Sequence, residues 1–393
     1  MAHVTRFWPA WGLVLLLMQF APGAQALEVT ISAQYMGGAS GQFENTTPVA
    51  EFCQRFGHYC VGRDVVDLPL TYNKEVNNAG SREQFFIKMP GQRQVEVFHE
   101  VTGEPHTLFF EFTGVSQTTT GPFWNHSPVY SATLQGGCTR VGSIANPPRT
   151  LFLWDITQPA VPTGCYSLNN NSNIVYPQFV DVIDMGVSFN LTSPIPLRMR
   201  TGIYRGSITY NVGPGGDFDF GDGVTALVSN SVKINFILVV QHAFAFNFPP
   251  GTERAVLEPR DGWQHWLAGG SVPQRLYRDL PFRLSSTGPI SVYKLCQYDI
   301  DTQCGIVNEK GGQAPVLISL SLPAGLQYQG KPVHKVALPT GRTQALKFDA
   351  VQTTFNRPGQ IHFEIAKEDV RRMLPNAGSV YTGLATVVFD AEL

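Results

Sequence analysis

The stretch that decides the fold is "SVYTGLATVVFDAEL" (Ser379–Leu393), which shares the pattern Tyr-x-Gly-x-x-Thr with "GIYRGSITY" (Gly202–Tyr210). The two copies are 381 − 204 = 177 residues apart. After the first copy comes "SVKINFIL" (Ser231–Leu238), an alternating segment that can close a β-sheet. After Thr386 of the second copy only 393 − 386 = 7 residues follow. We therefore expect the sheet of the first copy to be complete and the sheet of the second to lack its final strand.

The repeated pattern has a physical interpretation within a β-sandwich. A strand tyrosine packs its ring while its hydroxyl reaches a hydrogen-bond partner, and a strand glycine lets another backbone approach closely. Three shared positions are weak by themselves, but each copy lies near the end of a proposed domain. A missing strand leaves an open groove, and we predict that Tyr381, Gly383, Thr386 and Val388 form its edge. Such an edge accepts a strand from another chain.

Short strand-like segments separated by Gly, Pro, Asn and Asp recur along the chain. "QVEVFHEV" and "TLFFEFTGV" flank "TGEPH" and predict a hairpin, while "SVKINFILVVQHAFAFNF" (Ser231–Phe248) is too long for one strand and predicts two. The best helical signal is "AKEDVRRML" (Ala366–Leu374), which Pro375 ends. The predicted fold class is all-β, with two β-sandwich domains in tandem, the second lacking its final strand.

The N-terminus has the layout of a secretory signal peptide. The apolar run "FWPAWGLVLLLMQFA" (Phe7–Ala21) precedes "AQA" (Ala24–Ala26), a cleavage site. A membrane anchor is the alternative, but the run is shorter than the roughly 20 residues of a spanning helix. We predict a signal peptide over residues 1–26, an N-terminal domain over residues 27–238 and a C-terminal domain over residues 239–393. The mature length of 393 − 26 = 367 residues fits two domains.

The composition indicates which class of partner is disfavoured and how the cysteines are bonded. A net charge of −2, with 15% charged residues, does not favour a nucleic-acid partner. Six cysteines in an exported chain favour disulfides, although fifteen pairings are possible. Loop length makes one pairing economical: Cys53 with Cys60, Cys138 with Cys165, and Cys296 with Cys304. None of these pairs has C-x-x-C spacing, so no metal site or cofactor is predicted.

The sequence resembles the chaperone–usher fimbrial tip adhesins of Gram-negative bacteria, in particular their alternate, colonisation-factor-like class. The resemblance covers nearly the whole mature chain and is most specific in the second domain. The segments that carry it there are "FNFPPGTERAVLEPRDGWQHWL", "RDLPFRLSSTGPISVYKLCQYD", "GQIHFEIAKEDVRRML" and "VYTGLATVVFDAEL". In the first domain "RFGHYCVGRDVVDLPLTYNKE" and "NPPRTLFLWDI" are also similar to that family.

The resemblance implies a non-enzymatic tip subunit with a receptor-binding N-terminal adhesin domain and a C-terminal pilin domain. It also implies that both domains are immunoglobulin-like β-sandwiches, the second lacking its final strand. It implies export through the periplasm to the cell surface, where the protein lies at the pilus tip. A periplasmic chaperone lends the missing strand, an outer-membrane usher assembles the fibre, and the N-terminal extension of the next pilin subunit then replaces the chaperone strand. A tip subunit has no donor arm of its own, and "EVTISAQYM" after Leu27 is accordingly expected to be the first strand of the domain.

A glycan or protein receptor on a host cell would need exposed aromatic and hydrogen-bonding side chains on loops. "GPFWNHSPVY" offers Trp124 for stacking on a sugar, with Asn125 and His126 for polar contacts. Arg140 and Arg149 lie within the loop of the proposed second disulfide, and Arg149 suits a carboxylate such as that of a sialic acid. A packed tryptophan and solvated arginines are the alternative interpretation.

Two further segments have a functional interpretation that is less favoured. "GGDFDFGDG" places Asp217, Asp219 and Asp222 in a glycine-rich loop, but the twelve-residue calcium-loop pattern is not met, so an acidic turn is favoured. Trp263 and Trp266 could mark a ligand groove, although core or domain-joint packing is favoured.

Two other functions stay open from the sequence. The chain could be a structural cap or assembly initiator of the pilus that binds no receptor. An exported β-sandwich glycosidase is less favoured, because it needs a paired acid and carboxylate in a cleft and the sequence offers no convincing pair.

Overall fold

The computed structural model describes residues 26–121, 129, 133–146, 148–168, 175–252 and 254–391. The predicted signal peptide therefore lies, up to residue 25, outside the described residues. The described chain is an all-β protein with three short α-helices, which confirms the predicted fold class. The count of two immunoglobulin-like sandwiches stays a prediction.

The backbone pairing divides the chain into an N-terminal half, residues 26–240, and a C-terminal half, residues 244–391, joined by a junction of residues 241–243. The elements of the N-terminal half are β1 (Leu27–Tyr35), β2 (Glu44–Asn45), α1 (Glu51–Arg55), β3 (Asp64–Asp67), β4 (Tyr72–Val76), β5 (Phe85–Ile87), β6 (Arg93–His99), β7 (Pro105–Thr120), β8 (Thr133–Gly136), β9 (Cys138–Asn146), β10 (Arg149–Ile156), β11 (Cys165–Leu168), β12 (Gln178–Thr192), β13 (Gly202–Asn211), β14 (Val224–Thr225) and β15 (Ser231–Val240). Short 3-10 helices cover Gly57–Tyr59 and Pro196–Arg198.

The C-terminal half is built in the same way from strands with short helical turns. Its elements are β16 (Phe244–Asn247), α2 (Gln264–Leu267), β17 (Arg275–Ser286), β18 (Ile290–Cys296), β19 (Asp299–Ile300), β20 (Gln303–Val307), β21 (Gln313–Ser321), β22 (Leu326–Tyr328), β23 (Lys331–Pro332), β24 (Val336–Ala337), β25 (Leu346–Ala350), β26 (Thr354–Ala366), α3 (Lys367–Met373) and β27 (Ala385–Ala391). Short 3-10 helices cover Arg342–Gln344 and Leu374–Asn376.

The N-terminal half is a layered β structure around one aromatic core. Its large sheet has twelve strands and runs through β4, β12, β7, β6, β13, β15 and β1 in spatial order. A three-stranded sheet, β5-β11-β8, supplies Phe85, whose ring meets the edge of Phe152 and Trp154 at centroid distances of 5.8 and 6.2 Å. All three rings are buried, so the two sheets share a dry interior, as layered β proteins require.

Alternating patterns in the sequence gave strands where they were predicted. The hairpin of β6 and β7 is antiparallel, with Arg93 opposite Phe110. The long run Ser231–Phe248 forms two strands, β15 and β16, and every second residue of β15 is buried. The predicted helix is α3, which lies within two residues of its expected limits. The three disulfides are those that loop length favoured: Cys53–Cys60, Cys138–Cys165 and Cys296–Cys304.

The first copy of the repeated pattern lies wholly on β13. Tyr204 is buried, and its hydroxyl donates to the carbonyl of Arg200 at 3.0 Å, which is the geometry of a tyrosine corner. Gly206 lies against β6, where an added Cβ would be 2.3 Å from the carbonyl oxygen of Glu96. The glycine is therefore needed for the close approach of two strands.

The strand β15 completes the sheet of the N-terminal half. It pairs with β13 antiparallel along ten residues and with β1 parallel along nine residues. Because both of its edges are paired, the backbone of β15 is satisfied on both sides within the sheet. The expectation that the first copy of the pattern is followed by a closing strand is confirmed.

The C-terminal half has a seven-stranded sheet, which runs β16-β17-β26-β21-β20-β19 with β24 also paired to β21, and a five-stranded sheet, which runs β23-β22-β25-β18-β27. The strands β16 and β27 are the outer strands of the two sheets. Within the described residues no backbone ladder joins the two halves of the chain. The predicted boundary between residues 238 and 239 falls inside β15, two residues before that strand ends. The assignment of the two halves as separate domains stays a prediction.

We predict that Gly206→Ala lowers the stability of the N-terminal half by about 1–3 kcal/mol, because the new methyl group would overlap a backbone carbonyl. Gly57→Ala is the matched control, since nothing lies within 4 Å of an added Cβ there. Urea denaturation followed by tryptophan fluorescence compares the two midpoints. Equal midpoints for the two variants would contradict the steric argument.

Candidate functional site: an open groove beside β27

A groove of about 1320 Å³ runs between the two sheets of the C-terminal half. Its floor is formed by apolar side chains of the seven-stranded sheet and of α3. The floor residues are Leu276, Leu280, Val316, Ile318, Ile361, Ile365 and Val370, all of them buried. The groove therefore presents the hydrophobic interior of this half along an open side.

One long edge of the groove is β27. This strand pairs antiparallel with β18 from Ala385 to Ala391, and no ladder forms on its other edge within the described residues. Alternate residues of the strand, Ala385, Val387 and Phe389, line the groove. The unpaired edge therefore offers backbone donors and acceptors beside a hydrophobic floor.

Contacts between the two sheets close the groove at both ends. At one end Phe389 packs on Phe246 and Phe282, with ring centroids 4.5 and 5.6 Å apart. At the other end the backbones of Val307 and Thr382 exchange two hydrogen bonds of 2.9 and 3.0 Å. The opening between these closures is as long as β27, whose seven residues span about 20 Å when extended. An extended segment of about that length fits it.

The rim of the groove carries large apolar side chains that are turned to solvent. Val256, Leu267, Val380 and Leu384 all line the groove and are 60, 68, 70 and 67% exposed. A contiguous exposed apolar surface of this kind marks an interaction site on a soluble protein.

Three of the four residues predicted for the groove edge line it. Tyr381, Gly383 and Thr386 do so, and Val388 does not. Val388 points to the face opposite Val387, because neighbouring strand residues alternate. Thr386 shares the face of Val388 and lines the groove from the second position of the strand, beside its start at Ala385. Of the three residues that line the groove, Thr386 alone lies on β27.

The second copy of the repeated pattern thus has a different backbone structure from the first. Its glycine nevertheless has the same function, because an added Cβ on Gly383 would be 2.5 Å from the carbonyl oxygen of Gly305. The hydroxyl of Tyr381 is half-buried and accepts a hydrogen bond of 3.4 Å from the side chain of Asn376. The close approach at Gly383 lets the irregular segment before β27 join the seven-stranded sheet.

Sequence reasoning missed most of the residues that line the groove. Trp263 and Trp266 lie around α2 with their rings 6.1 Å apart, and both line the groove. A ligand groove was the less favoured interpretation of these two residues, and Trp263 also packs against the core. Phe248 and Val256 approach the groove from the segment after β16. These last two carried no usable signal, because an apolar residue at an open edge looks like a core residue in a sequence.

The predicted receptor-binding residues are only partly described. Trp124, Asn125 and His126 lie outside the described residues. Arg140 donates to the carbonyl of Val129 at 3.1 Å. Arg149 is exposed at the start of β10, opposite Thr120 of β7.

The two arginines do not form one site. Arg140 lies opposite Trp154, and Arg149 lies five residues from Trp154 on the same strand. That separation corresponds to about 17 Å along β10. A single small ligand therefore cannot contact both side chains.

The aspartates of the glycine-rich loop are engaged by arginines. Asp217 pairs with Arg93 at 2.9 Å. Arg82 binds both oxygens of Asp219, at 2.8 and 3.1 Å, and one oxygen of Asp222 at 3.2 Å. The favoured interpretation, an acidic turn between strands, agrees with this arrangement.

The side chain of Lys74, on β4, places a positive charge against this loop. The ammonium group of Lys74 donates to the backbone carbonyls of Arg82 and Phe220 at 3.0 and 3.1 Å, and also to that of Asp222. Burial lowers the pKa of Lys74 to about 8, so it is mostly protonated at neutral pH. The loop is thus held by a cation that belongs to the chain.

The described residues contain neither a candidate metal site nor a candidate membrane-spanning helix. They contain no cluster of histidine, cysteine, aspartate or glutamate side chains that could hold a metal ion. They also contain no helix with the length and apolar character needed to span a membrane.

Comparison with known proteins gives structural likeness without sequence relatives. No family model matches the chain, and no characterised protein matches it in sequence. Several of the solved structures that resemble it over most of its length are chaperone–usher tip adhesins.

Three of these structures represent the set. A chaperone–tip adhesin complex of CFA/I fimbriae has 10% identity and a TM-score of 0.25, and covers 93% of this chain and 97% of that one. The CFA/I adhesin CfaE of enterotoxigenic E. coli has 8% identity and a TM-score of 0.26, with 93 and 92% covered. The CsuC–CsuE chaperone–tip subunit complex of the archaic Csu pili of Acinetobacter baumannii has 9% identity and a TM-score of 0.22, with 93 and 99% covered.

We predict that the native chain binds an environment-sensitive hydrophobic dye in the groove. Val387→Thr places a hydroxyl in the groove without changing the volume much, and should reduce the dye fluorescence several-fold, because a polar group without a partner weakens an apolar site. Val388→Thr makes the same change one residue later on the same strand and should leave the fluorescence unchanged. Equal effects of the two substitutions would place the dye elsewhere.

Proposed function

We propose that this protein is the tip subunit of a chaperone–usher pilus, and that an extended segment of another chain completes its C-terminal half. The observation that carries the proposal is the apolar groove along the unpaired edge of β27. The proposal includes export through the periplasm to the cell surface and no enzymatic activity.

The N-terminal half offers an internal template for the missing strand. There β15 lies between β13 and β1, antiparallel to the first and parallel to the second. By analogy the foreign segment runs antiparallel to β27 and turns alternate side chains onto the floor of the groove. Each apolar side chain so buried would contribute about 1.5–3 kcal/mol, and pairing with β27 would fix the register.

The proposed donors of the strand follow from this geometry and from the resemblance to tip adhesins. A periplasmic chaperone supplies the strand first, an outer-membrane usher receives the complex, and the N-terminal extension of the next pilin subunit replaces the chaperone strand. Two of the similar solved structures are chaperone complexes of tip adhesins, which supports a chaperone as a partner of this chain. The exposed rim around the groove is consistent with a bound protein.

The N-terminal half is proposed to bind a host-cell glycan or protein receptor. Its strand β7 ends at Thr120, a few residues before Trp124 in the sequence, and Arg149 is exposed opposite Thr120 at the start of β10. A planar guanidinium at such a position suits a carboxylate ligand. A pilus cap without a receptor remains the alternative, and the binding experiment below distinguishes the two.

We predict that a strand fused in place rescues the stability of the C-terminal half. The fusion adds a short glycine-rich turn after Leu393, followed by nine residues with valine at alternate positions, so that the segment can run antiparallel to β27. The fused protein should melt at least about 10 °C higher than the mature chain and should remain monomeric, because the groove is filled. Circular dichroism melting and light scattering measure both properties.

The matched control carries the same nine residues with the valines shifted by one position. That shift turns the apolar side chains away from the floor, so the control should melt like the unfused chain. Equal stability of all three proteins, with no aggregation of the unfused chain, would contradict the proposal.

We predict that Arg149→Ala reduces binding of the donor-fused protein to its receptor about tenfold or more, because a charged hydrogen bond to the ligand is lost. A glycan array and host-cell binding provide the measurement. Arg357→Ala, an exposed arginine of the C-terminal half, is the control and should bind normally. Binding unchanged by Arg149→Ala would remove this residue from the site, and no binding by any form would favour the pilus cap.

A further inference from the structure

The junction between the halves is built around one buried histidine, His242, which is 7% exposed. Its Nε2–H donates to the carbonyl of Met199 at 2.8 Å, and its backbone N–H donates to the hydroxyl of Thr201 at 3.3 Å. The ring of Tyr35 meets the imidazole edge-on at 5.7 Å. His242 thus contacts two separate parts of the N-terminal half, the end of β1 and the segment 199–201.

The C-terminal half packs on the same imidazole from the other side. The turn between β17 and β18 approaches so closely that an added Cβ on Gly288 would be 2.4 Å from the ring. The neighbouring Thr287 accepts a hydrogen bond from the backbone N–H of Ala243 at 2.7 Å, and its carbonyl accepts one from the hydroxyl of Tyr35 at 3.5 Å. The imidazole is therefore shared by both halves.

The segment around residues 199–201, which His242 contacts, also lines a cleft between the two halves. This cleft has a volume of about 440 Å³. Leu197, Arg198 and Arg200 line it from one side, and Lys347 and Asp349 of β25 line it from the other. Release of this segment would therefore weaken the contacts between the halves across the cleft as well as those at His242.

Nδ1 of His242 is buried and has no hydrogen-bond partner among the described residues. Since Nε2 donates to a carbonyl, the imidazole is neutral with its proton on Nε2, and Nδ1 carries a lone pair. Protonation would place a charge in a buried joint. The backbone groups of Met199 and Thr287 would favour that charge only in part, and no charged side chain of the described residues compensates it.

We propose that His242 makes the joint between the two halves acid-labile, so that protonation of its imidazole releases segment 199–201 and separates the halves. The inference does not depend on the proposed pilus function, because it concerns a contact within this chain.

The groups that face His242 supply no compensating negative charge. They are the phenol of Tyr35 on β1, the backbone of Met199, the hydroxyl of Thr201, and the turn at Thr287 and Gly288. Among the described residues no charged side chain shifts the titration of His242. The titratable side chains of the cleft beside it are Glu104, Arg198, Arg200, Lys347 and Asp349.

Burial lowers the pKa of His242 below its ordinary value of about 6.5, and the backbone groups of Met199 and Thr287 oppose this shift only in part. In the open joint the histidine titrates near its ordinary value, so the open form binds the proton more readily. The closed joint is therefore fully favoured above about pH 6.5 and is weakened as the pH falls from there through the lowered pKa. Within that window the opening equilibrium rises up to about tenfold per pH unit.

Hydrogen exchange of the mature chain tests the proposal between pH 7.5 and pH 5.0, with rates corrected for intrinsic exchange. Protection of residues 196–203 and 239–245 should fall several-fold more at pH 5.0 than protection of β7. In H242Q, whose amide can donate to Met199 but does not titrate, protection should be the same at both pH values.

The matched control is H362Q, because His362 is also buried but contacts Asp279 at 2.7 Å and Ser321 at 2.8 Å within the C-terminal half. This variant should keep the acid lability of the joint. If H242Q does not fold, the NMR titration of the His242 ring in the wild-type chain decides the question. A pKa at or above about 6.5, or an acid loss of protection that survives in H242Q, would overturn the proposal.

Discussion

An unpaired sheet edge beside an open hydrophobic floor is the constraint on which the rest of the structure depends. The backbone of β27 is hydrogen-bonded on one side by β18, and its other side faces the groove. Backbone groups and apolar side chains both need a partner, and a single extended segment satisfies both at once. This is why a strand, rather than a helix or a small molecule, is the occupant that the groove fits.

The two halves of the chain differ in whether a strand of their own pairs with the sheet edge beside the hydrophobic interior. In the N-terminal half β15 provides a strand that both β13 and β1 pair with, so the interior is closed. In the C-terminal half the rings of Phe246 and Phe389 bring the two outer strands together at one end only. The N-terminal half is thus closed by its own strand, whereas the C-terminal half keeps an open groove.

The joint connects the two halves. The buried core is continuous through both halves, and His242 lies where the two meet. Lys74, beside the aspartate loop, and His242, in the joint, are two buried bases with different charge states. Lys74 stays charged because backbone carbonyls surround it, whereas His242 stays neutral because nothing near it compensates a charge.

The sequence by itself determined the strands, the hairpin of β6 and β7, the two strands in Ser231–Phe248 and the helix α3, because these depend on local alternation and local breakers. It also predicted Tyr381, Gly383, Thr386 and Val388 as a groove edge, through a repeated pattern. It could not decide between core and groove for Trp263, because the surroundings of a residue depend on what lies across from it in the fold. The partners of Asp219 and Asp222 come from distant parts of the chain, and the joint at His242 joins segments more than forty residues apart in sequence. Such contacts exist only in the folded chain, since local propensity carries no information about which distant segments meet.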